Sequence, residues 1–273
     1  MQNREDYLIK KLNSSYIGDD GAIIGDKIYS MDAFFEGVHF KREWLNLTQI
    51  ARKAILVNIS DAIAMNAKPI YALVTLSLPP DIKKDGIDEI ITSLDNTADE
   101  FNCEIIGGDT ISGERLDFSI TIISQSNNPL TRKGLKKGDL LAYTGVLGES
   151  KRDLNRLLNG KKIENSSRFI EPTLRADFIY KAREYLNVGM DISDGLYCDT
   201  NKLLDYNSIG FKEIIKITDE IGSSGKEYEM LIGFDRDNLD NIQKIANSLE
   251  LDLTVFGEIE ESDNRFGCVN HHF

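Results

Sequence analysis

Five short segments pair an aspartate with small residues, four of them at turn-like or strand-end positions and one, Ser60-Asp61, inside an apolar stretch. They are Gly18-Asp19-Asp20-Gly21, Ser30-Met31-Asp32, Ser60-Asp61, Gly107-Gly108-Asp109-Thr110 and Asp191-Ile192-Ser193-Asp194-Gly195. Carboxylates of this kind suit Mg²⁺, which proteins hold with one or two carboxylates, water and substrate phosphates. Two carboxylates about 4 Å apart repel by about 4 kcal/mol at an effective dielectric of about 20. Several of them in one cleft therefore require divalent cations.

Asp61 is the most informative of these acids because it interrupts the apolar stretch 55–65, which reads as the middle of a buried helix. Val57 and Met65 flank it on one helix face, and Leu56 and Ile59 lie on the opposite face. A helix that is apolar on both faces belongs in an interior, where an ionised carboxylate is costly unless a cation or several donors meet it. For the other aspartates an ordinary turn is the alternative, since Asp-Gly pairs are common in turns.

Composition limits the classes of function. The chain has 273 residues and a formal net charge of -13, which argues against electrostatic binding of nucleic acid. No apolar run reaches the ~20 residues that cross a bilayer, and the first ten residues are polar, so neither a membrane segment nor a secretory signal is expected. Cys103, Cys198 and Cys268 show no zinc or redox spacing. We expect each to pack as a small hydrophobe, and we expect a cytoplasmic protein.

The first half of the chain alternates strand-like and helix-like segments. In order, the pattern predicts a hairpin, a helix capped by Thr48, a strand, a second helix and two strands: 22–24 with 27–30, 48–65, 71–78, 85–101, 103–106 and 116–124. This β-β-α-β-α-β-β order predicts an α+β fold with a mixed sheet and helices on one face.

A polar, basic stretch at 126–138 is the candidate boundary between two α/β-sandwich domains, 1–130 and 131–273. The second, α+β domain is predicted to contain a strand at 139–144, helices at 151–158 and 174–186, a strand at 189–192 and a helix beginning near 198.

Common nucleotide-binding and nucleophile motifs are missing from the sequence. It has no Gly-x-x-x-x-Gly-Lys-Ser/Thr loop, no Gly-x-Gly-x-x-Gly helix start and no protein-kinase catalytic loop. Gly107-Gly108, placed after the strand 103–106, would let backbone amides approach a phosphate. His39 reads by itself as a packed core histidine, and Arg132 reads equally well as a phosphate ligand or a solvated linker cation.

Taken in order, these segments and their flanks resemble the thiamine-monophosphate kinase family. That family belongs to an ATP-binding superfamily shared with aminoimidazole ribonucleotide synthetase, selenophosphate synthetase and a hydrogenase-maturation protein. The resembling segments are 18–20, 30–32, 36–40, 58–69, 106–110, 131–134, 138–139, 144–148 and 191–196.

The resemblance implies transfer of the ATP γ-phosphoryl group to thiamine monophosphate, which gives thiamine diphosphate. It also implies a homodimer whose N-terminal sheets form a shared barrel. The implied ligands of several Mg²⁺ ions are Asp20, Ser30, Met31 through its backbone, Asp32, Asp61, Asp109, Asp191 and Asp194. Gly108, Asp109, Arg132 and Ser193 would contact ATP, and His39 would contact the acceptor. Asp61, Asp109 and Asp194 are the implied catalytic residues.

One segment departs from the family. Where the family carries Gly-Gly-Glu-Asp-Tyr-Glu-Leu, residues 224–230 read Ser-Gly-Lys-Glu-Tyr-Glu-Met. Lys226 takes the place of a substrate-side glutamate, and we expect Glu227 to substitute for it. His271 and His272 are expected to be structural or incidental.

Two alternatives to this kinase stay open. One is another ATP-using member of the superfamily, although the cysteines that mark two of those members are not in the expected places. The other is a non-catalytic scaffold that binds metal and nucleotide only.

Overall fold

The structure is a computed structural model that describes residues 4–268. Its strands are β1 (Ala22–Ile24), β2 (Lys27–Phe35), β3 (Lys68–Leu78), β4 (Glu104–Ser112), β5 (Asp117–Gln125), β6 (Leu140–Thr144), β7 (Val188–Asp191), β8 (Gly210–Glu213), β9 (Met230–Phe234) and β10 (Leu253–Glu260). Its α-helices are α1 (Arg4–Lys11), α2 (Leu47–Ala64), α3 (Lys84–Glu100), α4 (Glu149–Leu158), α5 (Ala176–Ala182), α6 (Leu196–Asn207), α7 (Asp219–Gly222) and α8 (Leu239–Ser248). No helix of the described range is long and apolar enough to cross a membrane.

The N-terminal sheet has the strand order β1-β2-β5-β3-β4 and is mixed, because β3 pairs with β4 in parallel and with β5 antiparallel. Alternate residues of β5, including Phe118, Ile120 and Ile122, are buried under α2. The opposite sheet face, which we call the uncovered face, carries the exposed residues Tyr29, Met31, Phe35, Tyr71 and Leu73. The predicted β-β-α-β-α-β-β order is confirmed.

The C-terminal sheet is antiparallel, in the order β7-β9-β6-β10-β8. Successive residues of β6 enter different apolar clusters: Leu140 and Ala142 join the large cluster that includes α2, while Leu141 and Tyr143 join the cluster around α6. Because both faces of this strand are covered, it reads as a continuous apolar run in the sequence.

Helix α2 joins the two halves, since it contacts β2 and β5 on one side and β7 and α5 on the other. Its cap is Asn46, whose side chain accepts from the Gln49 amide, while the Gln49 side chain accepts from the Asn46 amide. The prediction that Thr48 is the cap was wrong. Asn46 forms a full capping box, whereas the Thr48 hydroxyl donates to Glu89 at 2.7 Å.

Two helix and strand predictions also need correction. The predicted helix 174–186 is shorter and ends in a 3-10 turn, Arg183–Tyr185. Gly107 and Gly108 lie inside β4 rather than in a loop after a strand, because β4 continues to Ser112 with a bulge opposite Ala72 and Leu73.

The expectation for the cysteines was wrong for two of the three. Cys198 is bonded to Cys268, with 5.2 Å between their Cα atoms, whereas Cys103 is free and buried. The two cysteines are 70 residues apart, so no local sequence pattern indicates that they pair. The C-terminal segment folds back over α6, where the Phe266 ring stacks on Tyr197. His271 and His272 lie outside the described residues.

Candidate active site

Three predicted metal ligands converge on one point between the two sheets. Asp20 precedes β1, Asp61 lies in the last turn of α2, and Asp191 ends β7. Each offers a carboxylate oxygen, and these oxygens all lie within 4.8 Å of one another. We call this group the triad. Asp61 is thus at the C-terminal end of its helix and not in the middle. At this end the helix dipole also disfavours a negative charge.

The triad is short of positive charge. Burial raises the pKa of the Asp61 carboxyl well above its usual range, and the charges of Asp32 and Asp191 raise it further. Burial and the nearby Asp20 raise the pKa of Asp191 to about 8, although Ser60 donates to its carboxylate at 2.6 Å. Both shifts arise from burial and from the neighbouring carboxylates.

The donor set fits Mg²⁺. Asp20 Oδ2 and Ser30 Oγ are buried and have no hydrogen-bond partner among the described residues, an arrangement that costs free energy unless something else binds them. All the converging atoms are hard oxygens, which is the ligand type that Mg²⁺ prefers.

The β2 residues next to the triad divide between the two sheet faces. The Asp32 amide donates to Asn58 Oδ1 at 2.8 Å, which fixes this part of β2 against α2. Met31 points to the uncovered face and its side chain is exposed. A backbone contact of Met31 with a metal ion stays a prediction.

Arg132 approaches the same place from the segment after β5. Its guanidinium is ion-paired with Asp20, and its amide donates to Asp19 Oδ1 at 2.6 Å. Burial alone would lower the pKa of Arg132, but the Asp20 carboxylate raises it above the ordinary value. Arg132 is therefore a fixed cation at the edge of the triad and not a solvated linker residue.

Asp194 and Ser193 lie in the turn between β7 and α6. The Asp194 carboxylate is ion-paired with the Lys202 ammonium, which also lies 3.2 Å from Asp199 Oδ1. Asp199 is fully buried and accepts from the Asp194 amide at 2.9 Å. Burial raises the pKa of Asp199 to about 6 despite Lys202. The Lys202 ammonium thus already pairs with Asp194, and Asp194 is not part of the triad.

Gly108 and Asp109 lie on the edge strand β4, and Asp109 is not among the acids that converge within residues 4–268. Asp109 is exposed, and its Oδ1 accepts from the Thr110 amide at 2.9 Å. Gly108 has a φ of 149°, and a Cβ there would lie 1.8 Å from the Val74 carbonyl oxygen. Packing of β4 on β3 is enough to require this glycine.

The two residues predicted to bind the acceptor substrate, His39 and Glu227, have different surroundings. His39 Nδ1 accepts from the Phe35 amide at 2.9 Å, and its ring stacks near Phe34 with centroids 5.7 Å apart. Glu227 is fully buried, and its Oε1 accepts from the amides of Gly148 and Ser150 at 2.9 and 3.0 Å, at the start of α4. Its Oε2 has no partner among the described residues. The acceptor contact of Glu227 stays a prediction.

Sequence reasoning missed a second buried acid. Glu229 has no exposed surface, and its carboxylate is ion-paired with both Arg168 and Arg175. Thr144 Oγ1 donates to it at 2.6 Å. The signal was the Glu-Tyr-Glu pattern at 227–229, but its two arginine partners lie more than fifty residues earlier in the sequence.

Tyr228, next to Glu229, faces the acids and was also missed. Burial raises the pKa of its phenol well above the usual range, and the charges of Asp32 and Asp191 add to this effect. The phenol therefore keeps its proton.

Comparison with known proteins places this arrangement in a class. The family model of AIR synthase related proteins, N-terminal domain, matches residues 18–125. A curated thiamine-monophosphate kinase from Aquifex aeolicus is 30% identical over 96% of this chain and 92% of its own length. One from Leptospira interrogans is 30% identical over 82% of this chain and 78% of its own. A solved structure of AaThiL complexed with AMPPCP and TMP superposes with a TM-score of 0.84 at 27% identity, covering 96% of this chain and 91% of that one.

Residues 18–125 thus form the N-terminal domain of an AIR synthase related protein. Within that class, the chain belongs to the thiamine-monophosphate kinase family.

Proposed function

We propose that this protein is an ATP-dependent kinase that converts thiamine monophosphate to thiamine diphosphate. The observation that carries the proposal is the convergence of Asp20, Asp61 and Asp191 at one point between the two halves of the chain. The family relationship supports the same activity, and the nucleotide analogue and TMP bound by the related AaThiL indicate the two substrates.

In the reaction, a phosphate oxygen of thiamine monophosphate attacks the γ-phosphorus of ATP. The bond from that phosphorus to the bridging oxygen breaks in line with the attack, and ADP leaves. Such a transfer asks little covalent chemistry of the protein, which must align the two phosphates and offset their charge. Mg²⁺ bound by the triad would supply that charge neutralisation.

We assign the remaining residues to three groups. Asp32, Ser30, the Met31 backbone, Asp109 and Asp194 complete the set of metal ligands around the triad, with Asp61, Asp109 and Asp194 catalytic. Gly108, Asp109, Arg132 and Ser193 bind ATP. His39 and Glu227 bind the acceptor. Arg132 has the best local support in the ATP group, since its planar guanidinium suits phosphate oxygens and is already held beside Asp20.

We also propose a homodimer, a domain boundary near residue 130 and a cytoplasmic location. The uncovered face supports the dimer, because exposed Tyr29, Met31 and Tyr71 on a broad sheet form an apolar patch of the kind that binds another protein surface. The two sheets support the boundary, since one contains only residues 22–125 and the other only 140–260.

The test is incubation with ATP, Mg²⁺ and thiamine monophosphate, with chromatographic detection of thiamine diphosphate. Thiamine and other phosphorylated acceptors serve as comparison substrates, and Asp61→Asn is the inactive control. Thiamine diphosphate formed by the wild type supports the kinase. Nucleotide binding without any turnover supports the scaffold, and preference for another acceptor supports a different member of the superfamily.

A further inference from the structure

Lys53 is a buried cation to which neither the family relationship nor the proposed reaction assigns a role. It lies on α2 and is 2% exposed. Its ammonium donates to the backbone carbonyl of Phe169 and lies 4.0 Å from the centroid of the Phe169 ring and 6.0 Å from that of Phe34. No carboxylate of residues 4–268 lies within ion-pair distance of it.

A lysine in this position is costly. Burial lowers the pKa of Lys53 to about 7, and the nearby Lys226 contributes to the shift. Its hydrogen bond to the Phe169 carbonyl offsets only part of the cost of burying the ammonium. Stability alone therefore does not account for Lys53.

Lys53 contacts one aromatic residue from each half of the chain. Phe34, on β2, stacks on His39, which is the predicted acceptor residue. Phe169 follows Arg168, whose guanidinium is paired with Glu229. Lys53 thus lies between the Phe34–His39 pair and the segment that contains Arg168 and Phe169.

The face of α2 that carries Lys53 also extends to the triad. Ser60 is seven residues after Lys53, so the two share a face of α2, and Ser60 donates to Asp191 at 2.6 Å. Arg52 adds a second contact to the Phe169 segment through Glu171 at 2.8 Å. Arg52, however, contacts neither Phe34 nor Phe169 in the hydrogen bonds and ring contacts of the described chain.

We propose that Lys53 is a positioning residue for the acceptor, holding the Phe34–His39 pair and the Phe169 segment at a fixed separation in front of the triad. This inference rests on the proposed function. Thiamine monophosphate carries two heteroaromatic rings and one phosphate. Because Lys53, Phe34 and Phe169 are all buried, Lys53 would act on the acceptor only through His39 and would not contact it.

The test compares Lys53→Met with Arg52→Met, a matched variant of the neighbouring residue that also joins α2 to the Phe169 segment. In Lys53→Met we expect the KM for thiamine monophosphate to rise about tenfold, as for loss of one buried charged hydrogen bond. The KM for ATP should change by less than about twofold. Arg52→Met should leave the acceptor KM near that of the wild type, because Arg52 contacts Thr97, Glu100 and Glu171 but neither aromatic residue beside Lys53.

Hydrogen exchange of residues 163–171, measured without substrate, provides a readout independent of activity. We expect faster exchange there in Lys53→Met than in Arg52→Met. Lys53→Gln keeps a donor for the Phe169 carbonyl and should be intermediate in both measurements, and it carries the test if Lys53→Met does not fold.

The outcomes separate the inference from the proposed function. A wild type that forms no thiamine diphosphate overturns the proposed function. An unchanged acceptor KM in an active Lys53→Met, or an equal rise for ATP, overturns the inference alone. So does the same acceptor KM in Arg52→Met and Lys53→Met, or unaltered exchange of 163–171.

Discussion

Two acidic sites of this protein, Glu229 and the triad, differ in how their charge is balanced. Glu229 has no exposed surface and is surrounded by Arg168, Arg175 and the Thr144 hydroxyl. The triad has three carboxylates, and the adjoining guanidinium of Arg132 pairs with only one of them.

The difference separates structural charge from functional charge. At Glu229 the fold supplies its own cations, so the cluster is complete without a ligand. At the triad, burial and mutual repulsion raise the pKa values of Asp61 and Asp191. The single guanidinium of Arg132 does not offset three carboxylates, and this excess of negative charge links the triad to Mg²⁺ and nucleotide phosphates.

Removal of one triad charge should have the largest effect on activity. We expect Asp61→Asn to lower turnover by roughly a thousandfold or more, since transition-state charge neutralisation is lost. The fold should persist, because one source of repulsion is removed. Steady-state kinetics and circular dichroism check this, with the exposed Asp95→Asn as the control. Turnover like that of the wild type would remove Asp61 from the site.

The same kind of substitution in the other cluster should affect stability instead. Glu229→Gln leaves two arginines close together without their counter-ion. We expect a loss of about 3–5 kcal/mol in the free energy of unfolding, measured by urea denaturation, with much less change in turnover per folded molecule. A loss below about 1 kcal/mol would mean that Glu229 is not a structural ion pair.

The stability of the metal-free protein should depend on pH because of the triad. The pKa of Asp191 rises from 3.8 to about 8 on folding, so the folded state binds more protons between these values. The free energy of unfolding therefore falls as the pH rises from about 4 to 8.

Between pH 6 and 8 we expect Asp191 to contribute about 2 kcal/mol to that fall. Urea denaturation in EDTA measures it, and Asp191→Asn should have the flatter profile. Added Mg²⁺ should restore stability most at pH 8, because the ligands must be deprotonated. Parallel profiles for the wild type and Asp191→Asn would contradict the assignment.

Lys202 provides the smallest and finest comparison, because it neutralises Asp194 as the arginines neutralise Glu229. Lys202→Met should free Asp194 and Asp199 for divalent ions. We expect Mn²⁺ to bind about two- to fivefold more tightly, as for a partly exposed ion pair. Mn²⁺ titration by electron paramagnetic resonance measures this. Lys137→Met, which removes an exposed pair with Glu261, is the control and should bind Mn²⁺ as the wild type does.

Much of this site could be predicted from the sequence, because its signals are local. Asp61 stands out within a single apolar helix, and the strand-end position of Asp191 follows from its own flanks. The hairpin around Gly25-Asp26 and the order of the seven elements from β1 to β5 depend on short-range patterns, whereas α1 was not predicted.

The partners of these residues could not be predicted in the same way. Lys53 reads as an ordinary polar position until Phe169 is placed 116 residues later. The cations of Glu229 and the bond between Cys198 and Cys268 also depend on tertiary contacts. Lys202 is close to Asp194 in sequence, but only the fold of the β7–α6 turn brings their charged groups together.

A crystal grown with Mn²⁺ and a non-hydrolysable ATP analogue tests the central claim most directly. Anomalous scattering would locate the metal ions. We expect strong peaks between the carboxylates of Asp20, Asp61 and Asp191, next to the phosphates of the nucleotide. Peaks elsewhere, with a bound nucleotide distant from these three side chains, would contradict it.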